Sequence, residues 1–290
     1  MSTEPTTAPI TSTVVDGRAG VTVVAGGTGK TGRRVADRLE AAGVPVRRAS
    51  RSTVPQLDWD DPSTWEPVLD GATAVYVAYA PDLAIPGAPE TVTRFARSAR
   101  PAGVDRLVLL TGRGEVEAQR AEDMVAEVFP ARTVLRCAFF AQNFSESFLR
   151  EPMLDGGLAL PVGDVGEPFV DLEDVAEVAV AALTDDRHAG RIYELTGPRL
   201  LSFADAVSVI SAASGRDVHF APIVMGEFTA GLAAAGLPGE EIDLLRYLFT
   251  EVLDGRGAFV TDDVTRVLGR PAGDFRAFAA REAASWRRAS

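Results

Sequence analysis

Along residues 20–150, short apolar runs alternate with longer stretches in which apolar residues recur every three or four positions. The runs at 21–25, 44–49, 73–79, 105–110 and 132–137 have strand length and strand composition. The periodic stretches near 31–42, 63–69, 88–100, 115–128 and 140–149 read as amphipathic helices. Strand and helix in strict alternation return the chain repeatedly to the same end of one sheet, so the strands run parallel with helices on both faces. The pattern predicts an α/β fold, a doubly wound parallel sheet of Rossmann type with a small C-terminal α+β lobe.

The rhythm changes after Arg150. "FVDLEDVAEVAVAALTD" reads as a strand end running into a helix, and "GRIYELTGP" as another short strand. In "LSFADAVSVISAASG", Ser202 is placed to cap a helix that Gly215 stops. Helical segments follow from 224 onward, interrupted by a loop at "LDGRGAF". The expected organisation is a disordered Thr/Pro tail at 1–19, a nucleotide-binding sheet domain at 20–150, and edge strands with a substrate-binding lobe at 151–290.

The first strand leads into "GGTGKTG", which contains two nucleotide signatures. Gly29-Lys30-Thr31 resembles the end of a triphosphate-binding loop, but that loop puts four residues between its leading glycine and the Gly-Lys pair. Val24 stands there, inside an apolar run, where a β-branched residue favours a strand. The spacing Gly27-x-Gly29-x-x-Gly32 fits a dinucleotide loop instead. Gly26 or Gly27 makes the turn, Gly29 lets the backbone approach a pyrophosphate, and Gly32 lets helix and strand pack closely. Thr28, Lys30 and Thr31 complete the loop at the helix N-terminus, where free N–H groups favour an anion.

In a doubly wound sheet the ligand lies outside the C-terminal strand ends, so these ends carry the candidates. After the second strand come Ser50, Arg51 and Ser52, where an NAD enzyme carries a carboxylate. An arginine binds a 2′-phosphate bidentately and serines donate to it, which favours NADP(H) over NAD. A further strand end is expected at "LDWDD", with Asp58 as an acceptor for the adenine amino group and Trp59 as a flat wall. A helix-capping Asp and a packing Trp are equally good readings of that pair. Ala78 and Ala80 are small enough for a cofactor to pass, and Tyr79 between them either faces the nicotinamide or packs. Thr111 either contacts the nicotinamide ribose or the substrate, or caps a turn. In "CAFFAQNFSESF", Phe139, Phe140 and Phe144 make either a pocket wall or plain core, and Gln142 and Asn143 offer orienting amides.

Composition narrows the field. A net charge of −12 with no basic block gives no positive face for nucleic acid. No apolar run reaches the ~18 residues of a membrane span. The N-terminus has neither the basic start nor the apolar core of a secretory signal, and the lone Cys137 suits a reducing cytoplasm. Lys30 is the sole lysine, and it falls in the phosphate loop. No tyrosine has a lysine four residues on, so the Tyr–Lys pair of ordinary short-chain dehydrogenases is missing. His188 and His219 form no cluster, and no metal site is expected.

With "GGTGKTGRRV", "ASRS", "TVLRCAFFAQNFSE" and "FVDLEDVAEVAVAAL…YELTGP", the chain resembles the NmrA-like branch of atypical short-chain dehydrogenases over most of its length. That branch includes type-2 NADPH:quinone oxidoreductases, ergot-alkaloid reductases and NADP-sensing regulators, and the likeness is nearest to the ergot group. The resemblance implies an NADPH-dependent reductase of a small, largely apolar conjugated substrate, such as a quinone, enal or iminium. Its alternative is a non-catalytic NADP(H) sensor acting through a protein partner. Many members carry a Lys or Arg in the helix after the fifth strand. Gln119 stands at that place here, with Arg120 next to it, a departure that argues against proton donation by this helix. Tyr79 and Thr111 are the catalytic candidates, with Phe139, Phe140 and Asn143 on the substrate; oligomeric state is left open.

Overall fold

The structure is a computed structural model and describes residues 14, 15 and 18–287. Of the expected N-terminal tail, residues 1–13, 16 and 17 lie outside the described residues. Val14–Val15 (β1) pairs antiparallel with Arg18–Ala19 (β2).

Six strands form one parallel sheet: β3 (Val21–Ala25), β4 (Val46–Ala49), β5 (Ala72–Val77), β6 (Arg106–Gly112), β7 (Thr133–Cys137) and β9 (Ile192–Leu195). Their order is β4-β3-β5-β6-β7-β9. Every residue of β5 is buried, as a central strand covered on both faces requires. Alternate side chains feed opposite cores. On one face Val23, Val75, Leu107 and Leu109 meet α2 (Trp65–Leu69), α3 (Ala88–Ala99) and α4 (Val116–Val128). On the other, Val24, Tyr76, Val108 and Leu135 meet α1 (Lys30–Ala41), α7 (Leu172–Thr184) and α11 (Asp263–Leu268).

A third core belongs to the C-terminal lobe. It joins α5 (Asn143–Glu146), α6 (Arg150–Leu154), α8 (Phe203–Ser214) and α12 (Phe275–Arg281) with the parallel pair β8 (Gly157–Leu160) and β10 (His219–Pro222). Phe144, Phe169, Phe203 and Phe275 interlock there, with edge contacts such as Phe169 on Phe203 at 5.2 Å between centroids. Helices α9 (Met225–Ala234) and α10 (Gly239–Tyr247) and the turn at Leu248–Val252 close the lobe. Helix α8 has the expected ends: Ser202 and Asp205 form a reciprocal capping box, and Gly215 stops it at φ +70°.

Two expectations fail. The helix at 140–149 is broken into α5 and α6, because Phe139–Ala141 is drawn into a bridge with Val170. The Val170 N–H donates to the Phe139 carbonyl at 3.0 Å and the Ala141 N–H to the Val170 carbonyl at 2.9 Å. At "LDWDD" there is no strand. Pro55 and Pro62 bracket the segment and cannot donate to a ladder, and Asp58 folds back to accept from the Asp60 N–H at 3.0 Å. The helix cap nearby is Asp61, which accepts from Ser63.

Candidate active site

The chain leaves β3 for β4 on one side and then crosses to β5 on the other, which places a switch point outside the ends of β3 and β5. Gly26 turns there at φ +82°, and a side chain on it would meet the Ala78 carbonyl at 2.6 Å. Gly32 packs α1 against the turn, where an added Cβ would lie 2.2 Å from the Gly26 carbonyl. Gly29 is the N-cap of α1, and no side chain caps that helix, so its first-turn N–H groups are left for a ligand. Val24 is fully buried in β3, paired with Arg48 and Tyr76, which excludes a triphosphate loop starting there. This cradle fits the pyrophosphate of a dinucleotide.

A cleft of about 1020 Å³ crosses the C-terminal strand ends from β4 to β7 and on to the lobe. It is lined by Gly26, Thr28, Gly29, Lys30 and Thr31 at the loop, and by Ser50, Arg51, Ser52, Asp58 and Trp59 at the β4 end. Ala78, Tyr79, Ala80 and Thr111 follow in the middle, and Phe139, Phe140 and Asn143 towards the lobe. Gly27 and Gly32 stand behind this wall; Gly27 has Arg48 and the Val24 carbonyl where a side chain would go. Phe144 is buried in the lobe core rather than in the wall.

Among the arginines around β4, Arg47 donates to the carbonyls of Val68 and Asp70, and Arg48 pairs with Asp37 and Glu40. Arg51 is exposed on the cleft and has no ion pair among the described residues. Beside it the hydroxyls of Ser50 and Ser52 meet at 3.1 Å. Lys30 Nζ donates to Asn143 Oδ1 at 2.5 Å, and burial lowers its pKa against the raising influence of Glu146. Arg34 ties α1 to both neighbours, donating to Glu146 Oε1 at 2.5 Å and Glu173 Oε1 at 2.8 Å.

Several expected roles change. Thr111 lines the cleft, but its hydroxyl donates to the buried Glu122 at 2.8 Å, which also takes Arg136 Nε at 2.9 Å. A carboxylate with no exposed surface needs such donors. Gln142 is turned to the start of α7, donating to Asp171 at 2.6 Å and accepting from the Leu172 N–H at 2.9 Å. Tyr79 packs on Trp59 with centroids 5.1 Å apart, and burial raises its phenol pKa. Gln119 and Arg120 are exposed outside the cleft wall, and Arg120 pairs with Glu90 and Glu117.

The cleft also holds charged groups that sequence reasoning missed. Asp82 and Glu115 line it and hydrogen-bond to each other. Burial, then the neighbouring Asp82, raises Glu115 to about 8. Glu167 accepts from the Phe139 N–H at 3.0 Å, and burial raises it to about 7. Arg113 spans from Glu194, at 3.0 Å, to the carbonyls of Gly257 and Phe259, and lies 3.9 Å over the Phe259 ring. Asp82 and Glu115 follow strands directly, in "YAPDL" and "TGRGE", and were findable by that rule. Glu167 comes from a lobe loop with no sequence register.

No family model matches the chain. The protein named uncharacterized oxidoreductase YesF of Bacillus subtilis is 34% identical over 277 residues, covering 91% of this chain and 96% of that one. A festuclavine dehydrogenase of Aspergillus fumigatus is 28% identical over 92% of this chain and 99% of its own. Among solved structures, the triphenylmethane reductase of Citrobacter complexed with NADP(H) has a TM-score of 0.71 at 18% identity, over 91% of this chain and 99% of that one. The transcriptional regulator NmrA has 0.69 at 15%, over 90% and 94%. Fold, dinucleotide loop and full-length relatives agree: the chain belongs to the NmrA-like family of atypical short-chain dehydrogenases/reductases.

Proposed function

We propose that the protein is an NADPH-dependent reductase of a small, largely apolar, conjugated acceptor such as a quinone, enal or iminium. The observation that carries the reading is one continuous cleft that joins a phosphate cradle to apolar walls. Bound there, the dihydronicotinamide supplies a hydride. The α1 N-terminus, Lys30 and Thr31 hold the pyrophosphate, while Arg51, Ser50 and Ser52 take the 2′-phosphate. Asp58 and Trp59 bound the adenine, and Ala78 to Ala80 with Thr111 leave a shallow floor for the nicotinamide. Phe139 and Phe140, with Leu248, Val252 and Leu253 of the lobe, wall off the acceptor.

An acceptor already polarised by conjugation needs chiefly to be held at the right distance and angle. Loss of the Tyr–Lys pair is therefore tolerable for this chemistry. The named relatives, an oxidoreductase and a clavine dehydrogenase, support a reductase at this coarser level. A sensor needs no apolar acceptor chamber, which weighs against the regulatory alternative. Absorbance at the nicotinamide band tests the reading, with NADPH and NADH run against quinones, enals and iminium salts. Consumption of NADPH with one acceptor class supports it; tight binding with no consumption by any of them moves the assignment to a sensor.

A further inference from the structure

Asp82 and Glu115 are not among the residues proposed above to hold the nucleotide. They stand in the loops that leave the adjacent central strands β5 and β6, and both face the cleft. Two carboxyl groups in hydrogen-bond contact, largely out of water, hold one proton between them, because ionising both sets like charges side by side. The pair is firmly placed. Glu115 is 7% exposed and lies on Gly112, while Asp82 accepts from the Ala84 N–H at 2.8 Å. No ion pair reaches either carboxyl among the described residues. The titratable groups that face them are Tyr247 of α10 and Cys137 of β7, both held neutral by burial. Arg256, near Gly114, is already engaged by Asp254 at 2.6 Å.

We propose that the Asp82–Glu115 pair is the proton donor of the reduction, a catalytic role that rests on the reductase reading above. The acceptor's electrophilic carbon gains a hydride from NADPH, forming a C–H bond as the cofactor's C–H bond breaks. The conjugated π pair moves to the far oxygen, or to the α-carbon of an enal. That atom takes the proton shared by the two carboxyls, forming a new bond as the carboxyl O–H breaks. NADPH is oxidised and the acceptor is reduced by two electrons. The pair is left as two carboxylates and regains a proton from water through Asp82, the less buried of the two. Glu115 is the N-cap of α4, so the helix dipole favours the carboxylate that remains. Tyr79 is the weaker donor, since burial raises a phenol that is a poor acid to begin with.

An iminium acceptor is neutralised by hydride alone and needs no proton, and this separates the acid from everything else in the cleft. Single-turnover oxidation of bound NADPH is measured with p-benzoquinone and with an N-methylated dihydroisoquinolinium ion, between about pH 6 and 10. In wild type the quinone rate declines on the alkaline side. In Glu115→Gln it falls at least about tenfold and loses that decline, and Asp82→Asn gives the same split. The iminium rate and the NADPH affinity, which report an intact fold, change less than about twofold. Equal losses on both acceptors, or an unchanged pH profile in Glu115→Gln, overturn the acid role while leaving the reductase intact. A wild type inert towards both acceptors overturns the reductase reading, and the acid role with it.

Discussion

The carboxyl group of Glu115 lies flat against the backbone of Gly112: a β-carbon added there would sit 1.7 Å from Oε1. The backbone of the strand end is thus the seat of the side chain, and only a residue with no side chain leaves that seat free. Gly112→Ala should expel the carboxyl while sparing the fold, because the displaced atoms are the end of a flexible side chain.

The expected outcome for Gly112→Ala is a quinone rate lowered about tenfold or more, as in Glu115→Gln, with a thermal midpoint within a few degrees of wild type. Stopped-flow kinetics and calorimetry on the same preparation check it. A full-rate Gly112→Ala would show that the position of Glu115 does not matter.

Arg51 should discriminate between the two nicotinamide cofactors. A charge-assisted hydrogen bond contributes roughly 1.5–3 kcal/mol, so Arg51→Ala should weaken NADPH about ten- to a hundredfold. NADH, with no 2′-phosphate, should change little. Titration of both cofactors by fluorescence reads the difference, and equal losses would remove Arg51 from phosphate recognition.

Stability should fall as pH rises from 6.5 to 8. Glu115 and Glu167 have folded pKa values of about 8 and about 7, above the ordinary 4.5. Below 4.5 both states are protonated and the full contribution is present. Between 4.5 and the raised values the folded chain keeps protons that the unfolded chain has released, so the unfolding free energy declines with pH. His188 is lowered from 6.5 by burial and acts in the opposite sense only below that pH. Denaturant melts should show the midpoint dropping across this window, with Glu167→Gln flattening its lower part. A midpoint that is level or rising there, and unchanged in slope by Glu167→Gln, would count against carboxyls kept protonated by the fold.

The legibility of the chain follows from how local each signal is. Val21 to Gly32 was readable because a buried strand, a left-handed turn and a close helix contact each demand a residue type at a fixed spacing. Phe139 and Phe140 were half readable: their apolar character was plain, but their extended backbone depends on Val170, thirty positions away in sequence. "LDWDD" misled, although its prolines and aspartates argued against a strand. Glu115 looked like the first residue of a helix, and only the fold places it against Asp82. The lobe's contribution was beyond reach, since Glu167 and Leu248 arrive through packing that no periodicity encodes.

Lys30 of the phosphate loop and Asn143 at the start of α5 meet across the cleft in one bond. A phosphate that recruits the only lysine of the chain must take it from the amide of Asn143, which lines the cleft. A nucleotide loaded in this way would release the Asn143 amide beside it. An exchange of hydrogen-bond partners at one side chain would then be enough to couple the two ligands.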